Sequence, residues 1–233
     1  MNFIIIKYMN SITPQELKLY KKELELSSYQ KDFLIGTLLG DGNVRLVARN
    51  REASLIVDHS TAQTDYVLWK YKIMKRWVLT EPKIVSRVYH KDVSKMLQSI
   101  RFSTISHPEV TSFYNLFYQQ GVKVIPKDIG KILTSPISLA VWFMDDGNKN
   151  HQAVFLNTQQ FTLGEQIMLK DCLLENFGLQ ASINKHWMYK GKQLYRIRIN
   201  TESTKRFYAL VKDLLVPSML YKFPHIPVTT SLA

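Results

Sequence analysis

The chain has 233 residues, with 31 Lys and Arg against 19 Asp and Glu, and a net charge of +12. Its 45% hydrophobic content supports a real core and excludes wholesale disorder. The single cysteine, Cys172, excludes an internal disulfide and a thiolate zinc site, and is read as a buried filler of a helix stripe. No apolar run reaches the ~18 residues of a membrane span, so no membrane role is expected, and the positive balance points to a polyanionic partner.

In chain order, Thr13-Pro14-Gln15-Glu16 combines an N-cap, proline at the first helical position and an acid three residues past the cap. It predicts a helix running to about Leu26. Ser27 and Gln30 open a second helix that stops at Gly42. Strands are expected at 43–49 and 53–59, a helix at 64–78, strands at 83–90 and 96–104, and a helix at 109–118. The stretch 121–134 reads as a connector. Ser135-Pro136 then starts a helix ending at Gly147. It is followed by strand 153–158, helix 163–177, strands 180–187 and 193–200, and helix 203–214. The order repeats, which predicts an α+β fold of two duplicated αββαββα halves, each with a curved antiparallel sheet. The boundaries implied are an N-terminal helical extension (1–26), a first half (27–120), a linker (121–134) and a second half (135–233).

The repeat is sharpest in two phrases. Leu34–Gly42 reads LIGTLLGDG and Leu139–Gly147 reads LAVWFMDDG, and each is an apolar helical run closed by an acid and a glycine. Gly36 and Gly40 fall four apart on one helix face, where they let another helix approach closely. If the phrases pack together across a pseudo-twofold axis, Asp41 and Asp146 emerge side by side at the negative ends of two helix dipoles. Carboxylates in that place repel one another. A divalent cation such as Mg²⁺, which prefers oxygen ligands, removes the conflict.

These phrases resemble the paired signatures of the single-chain, two-motif LAGLIDADG homing endonucleases, and the similarity is nearest to the yeast mitochondrial intron-encoded type. It extends to Val124-Ile125-Pro126, Leu156-Asn157-Thr158-Gln159 and Met219-Leu220-Tyr221-Lys222-Phe223-Pro224. The resemblance implies site-specific hydrolysis of both strands of a long, non-palindromic double-stranded DNA target, leaving short 3′ overhangs. It implies a metal site with Asp41 and Asp146 as carboxylate ligands, the Gly40 and Asp145 carbonyls beside them, and Mg²⁺ as cofactor with Mn²⁺ as substitute. Lys123 and Lys222 match the family's basic residues near the scissile phosphates, and Gln159 matches a polar position that orders water, with Ser60 in the equivalent place of the first half. Val141, where the family phrase has glycine, and the bulky Trp142 and Phe143 predict asymmetric helix packing. A single chain tolerates that asymmetry, which implies a monomer.

The expected DNA-reading surface is a strand face. In Arg196-Ile197-Arg198-Ile199-Asn200 the polar side chains share one side. Arg45, Arg49 and Arg51 give a looser version in the first half, and Lys83, Arg87, Arg101 and Lys185 add strand charge. Lys149, Lys190 and Lys192 sit near loop ends suited to phosphate. Two alternatives stay open: an RNA-binding maturase acting on intron RNA, and a catalytically silent DNA-binding protein. The family's intron-encoded members are commonly made inside organelles, and the start of the chain lacks an import pattern, so a mitochondrial or chloroplast location is expected.

Overall fold

The computed structural model describes residues 12–47, 52–89 and 92–224. Arg49 and Arg51 lie outside them. Two compact units divide the chain: Met1–Gln30 with Gly42–Asn115, and Lys31–Asp41 with Leu116–Ala233.

The first unit opens with α1 (Pro14–Lys22), held by the expected capping box in which Thr13 and Glu16 satisfy each other's backbone N–H groups. The helix stops at Lys22, short of Leu26, because the following chain straightens and seats both Leu24 and Leu26 in the core. Ser27 and Gln30 form the second reciprocal cap, which starts α2 (Ser28–Leu39). Strands β1 (Asn43–Leu46), β2 (Ala53–Ser60), β3 (Lys83–Tyr89) and β4 (Asp92–Ser103) build an antiparallel sheet in the order β1-β2-β4-β3. Between β2 and β3, α3 (Thr64–Met74) tightens into a 3₁₀ turn at Lys75–Trp77 that buries Trp77. Helix α4 (Pro108–Phe117) follows β4. Val44, Leu55, Val57, Ile100 and Phe102 form the buried side of the sheet. Lys70 on α3 is fully buried too, its ammonium 4.6 Å over the Tyr66 ring and 3.4 Å from His59 Nε2.

In the second unit the 121–134 connector is more structured than its sequence suggests. It takes in part of a small hairpin, β5 (Tyr118–Gln119) with β6 (Val122–Lys123), and a short helix α5 (Ile129–Ile132) whose Ile129 is buried. Helix α6 (Pro136–Asp146) carries the second phrase. Next comes β7 (Gly147–Asn150), a polar strand that periodicity misses. It exists because all four residues pair with the apolar β8 (Ala153–Leu156). Helix α7 (Leu163–Phe177) has its own capping box at Thr162 and Glu165 and ends on Gly178, whose φ of 64° suits glycine. Strands β9 (Ala181–Tyr189) and β10 (Lys192–Ile199) and helix α8 (Thr201–Val211) complete the unit. The sheet order, β7-β8-β10-β9, repeats that of the first unit.

The last residues of α2 belong to this second unit, where they meet α6. Phe33–Leu39 and Ile137–Asp145 are buried on every side, as helices apolar all round must be. A Cβ on Gly36 would come within 3.0 Å of the Ser138 carbonyl oxygen and of Val141, closer than real Cβ atoms approach. Ser138 Oγ donates to the Asp32 carbonyl at 2.7 Å across the same contact. The bulk of Val141 is therefore received by the missing side chain of Gly36, which accounts for the departure from glycine at that position.

Candidate active site

At the end of α2 the Gly40 N–H still reaches the Gly36 carbonyl at 3.2 Å, so the helical turn persists until Asp41. Gly40 faces Asp145: a Cβ there would fall within 3.0 Å of the Asp145 side chain. Asp145 is buried, and one of its carboxylate oxygens lies within 4.8 Å of one from Asp41. Asp41 is exposed and Asp146 half-buried. Burial, with Asp41 and then Asp145 as negative neighbours, pushes the Asp146 carboxyl up from the usual 3.8 to about 8, against the downward pull of Lys123 and Lys222. The two motif ends thus share one electrostatic environment holding three carboxyl groups and two ammonium groups.

Each lysine is fixed by the carbonyl that precedes a motif aspartate. Lys123 Nζ donates to the Gly40 carbonyl at 2.9 Å. It stands on β6, where Gln120 (φ 50°) and Gly121 (φ 78°) turn the hairpin and the Ile125 N–H is taken by Glu165 at 2.8 Å. Lys222 is buried, and its Nζ donates to the carbonyls of Met144 and, at 2.7 Å, Asp145. Phe223 anchors that segment, its ring 4.2 Å from Phe143 and 5.3 Å from Phe207. The Gly40 and Asp145 carbonyls expected to face a metal therefore already accept from the lysines.

Gln159 lies on a polar chain leading back to Asp146. The Asn157 N–H donates to the Asp146 carbonyl at 3.0 Å, Asn157 Nδ2 donates to Asn148 Oδ1 at 2.9 Å, and Gln159 Nε2 reaches Asn157 Oδ1 at 3.4 Å. Buried Gln166 holds the loop from below through the Thr158 and Phe161 carbonyls. Asn148 and the Asp145 side chain escaped the sequence reasoning. The doubled acid of the second phrase was the available signal for Asp145, whereas Asn148 sits on the strand that periodicity missed. Ser60, in the first unit, caps the turn at Thr61–Gln63.

The strand faces differ from one another. In the first sheet, pairing register puts Arg45, Asp58, Lys83, Arg87 and Arg101 on the side opposite the buried residues. Arg87 and Arg101 each contact the Asp58 carboxylate at 2.7 Å. Burial works against ionisation of Asp58, yet the Ser99 hydroxyl and the two guanidinium groups beside it hold its carboxyl below the usual range. In the second sheet Arg196 and Arg198 share a side with Phe155, while Ile197 and Ile199 are fully buried opposite. The Arg196 guanidinium stacks 3.6 Å over the Phe155 ring. Lys149 pairs with Val154 and Lys185 with Tyr195, so both stand on the Ile197 side, away from the arginines. Lys190 and Lys192 flank the β9–β10 turn and are exposed. No described helix is long and apolar enough to cross a membrane.

Residues 31–207 match the LAGLIDADG DNA endonuclease family. The chain is 29% identical over 215 residues to the DNA endonuclease I-ChuI of Chlamydomonas applanata, covering 85% of this chain and 96% of that protein. It is 26% identical over 194 residues to a cytochrome b mRNA maturase, bI2, of Debaryomyces hansenii, covering 82% and 72% respectively. The structure of the homing endonuclease I-WcaI bound to its DNA recognition sequence superposes with a TM-score of 0.84 at 27% identity, covering 95% of this chain and 99% of that one. Two acid-ended helices in close contact, sheets of repeated strand order and a family match spanning both phrases lead to one conclusion: the chain belongs to the LAGLIDADG DNA endonuclease family.

Proposed function

We propose that the chain is a site-specific endonuclease that hydrolyses both strands of a long, non-palindromic DNA duplex and leaves short 3′ overhangs. The observation that carries this reading is the coupling of Asp146 to Asp41 and Asp145, with Lys123 and Lys222 fixed alongside. A carboxyl pushed up to about 8 by burial and by negative neighbours, against the pull of Lys123 and Lys222, is a group whose ionised form needs more positive charge than the two lysines supply. Carboxylate oxygens in this setting fit a hard divalent cation, Mg²⁺ with Mn²⁺ as substitute, held by Asp41 and Asp146. When bound, such an ion acidifies water and stabilises the leaving oxygen of a phosphodiester.

The chain's own residues supply the rest. Lys123 and Lys222 keep positive charge where the negative charge of a pentacoordinate phosphate develops, and carbonyl tethers hold their ammonium groups without further reorganisation. Gln159, through Asn157, orients water next to Asp146. Halves 27–120 and 135–233 act as arms that each read one part of the target, through Arg45, Lys83, Arg87 and Arg101 on one sheet and Arg196 and Arg198 on the other, with Lys190 and Lys192 on backbone phosphates. Lys149 and Lys185, on the opposite side of the second sheet, take no part in that face. The protein works as a monomer in the organelle where its intron is transcribed.

The test is incubation with duplex DNA carrying the uninterrupted insertion site, with Mg²⁺ or Mn²⁺. Double-strand cleavage that is lost in both Asp41→Asn and Asp146→Asn is expected, by about a thousandfold in rate. Intact DNA with the unaltered protein contradicts the reading. The similarity to an mRNA maturase favours a second activity on intron RNA. Tight binding of that RNA without any DNA cleavage would put this second activity first.

A further inference from the structure

The end of the β9–β10 hairpin breaks the alternation of its own strand. Lys192 pairs with Tyr189 and Gln193 with Met188, but below them Tyr195 pairs with Lys185 and Arg196 with Asn184. His186 and Trp187 therefore both oppose the single residue Leu194, which is a β-bulge. Their rings lie with centroids 3.9 Å apart, a distance that neighbours on opposite sides of a strand cannot reach. Gln193 bridges the irregularity, its Nε2 donating to the His186 carbonyl at 2.9 Å and to the Leu194 carbonyl at 2.8 Å. Past the bulge the alternation runs one residue out of phase. Tyr189, across from Lys192, falls in step with Leu194, Arg196 and Arg198. Without the extra residue both aromatic rings would share the side of Ile183 and Ile197.

The bulge thus delivers two exposed aromatics, Trp187 at 58% and Tyr189 at 57%, to the side that carries the arginines. Lys190 and Lys192 flank them, with the Lys190 ammonium 5.5 Å over the Tyr189 ring. The segment 181–199 contains five Lys and Arg and no Asp or Glu, so it suits a polyanion and holds no carboxylate to accept from the cytosine amino group. In the DNA major groove the C5-methyl of thymine is the one apolar base substituent. Lys192 is five strand residues beyond Ile197, whose partner Leu156 lies next to the motif end. At ~3.3 Å per residue and ~3.4 Å per base step, the aromatic pad reaches about five base pairs outward from there.

We propose that Trp187 and Tyr189 read thymine methyl groups in the outer part of the half-site bound by the second sheet, that Gln193 positions them by holding the bulge, and that Lys190 and Lys192 hold the flanking phosphates. The proposal rests on the reading of this chain as a duplex-DNA endonuclease. It is tested by selecting bound duplexes from a randomised library, then replacing each enriched outer thymine by deoxyuridine, which removes only the methyl. The unaltered protein enriches thymine about five base pairs from the inner contacts and loses about fourfold in affinity per methyl removed. Trp187→Ala and Tyr189→Ala lose both the enrichment and the sensitivity to deoxyuridine while keeping preferences elsewhere. Gln193→Ala loses that sensitivity with an unchanged melting temperature. Selected DNA without outer thymines, or a methyl dependence that persists in both aromatic variants, overturns the proposal. Failure to enrich any sequence overturns the endonuclease reading instead.

Discussion

The two motif ends have the same outline and opposite fillings. One is Gly40-Asp41-Gly42, with a bare backbone at the helix contact and a half-buried lysine on one carbonyl. The other is Asp145-Asp146-Gly147, with a carboxylate pressed against that bare backbone and a buried lysine on two carbonyls. Where one copy lost a side chain the other gained one, at Gly36 with Val141 and again at Gly40 with Asp145. A symmetric pair could not make either contact twice. The copies in one chain have become complementary instead of equal, and the second carries the denser charge.

The sharpest way to separate the two ends is through Asp146. In the unfolded chain its carboxyl ionises near the usual 3.8, and in the folded chain near 8. Between those values the unfolded state has released a proton that the folded state keeps, so this group's contribution to stability is full below pH 4 and is lost as pH rises toward 8. Asp146→Asn, which mimics the protonated form, is expected to stabilise the cation-free protein by about 3 kcal/mol at pH 8, after allowing for partial exposure, and by little at pH 4. Urea unfolding at the two pH values measures this.

Next in size is Gly40→Ala, whose added Cβ collides with Asp145 and is expected to cost about 2 kcal/mol. Adding Asp145→Gly should recover much of that loss, which thermal unfolding of the double variant checks. Lys222→Met should cost about 2 kcal/mol and Lys123→Met about 1, because the first removes a buried lysine that serves two carbonyls and the second removes a half-buried lysine that serves one. Equal losses would remove the distinction between the ends. The smallest expected effect concerns the sheets. Asp58→Asn frees Arg87 and Arg101 from their shared carboxylate, so DNA affinity should rise at low salt and its salt dependence steepen by about one phosphate contact. The second sheet has Phe155 under Arg196 where the first has an acid, and offers no counterpart to this variant.

The sequence made the helices and their acidic ends legible, because capping boxes at Thr13 and Ser27 and the apolar runs before Asp41 and Asp146 are local signals. Strand β7 was hidden, since Gly147–Asn150 is polar and becomes a strand only through its pairing with β8. The side on which each basic residue stands was legible for Arg196 and Arg198 and illegible for Lys149 and Lys185, whose orientation follows from register. The tie of Arg87 and Arg101 to Asp58 was equally out of reach. It joins residues 29 and 43 positions apart across three strands, and nothing local announces it. The two lysines were reached through family resemblance alone, and their carbonyl tethers, which span 83 and 78 positions, were not legible.

The central claim is that Asp41 and Asp146 serve one shared site. Cleavage of each DNA strand, followed separately in Asp41→Asn and in Asp146→Asn, tests it most directly. A shared site predicts that either substitution slows both strands, by about a thousandfold. One strand cut at the unaltered rate in either variant would contradict it.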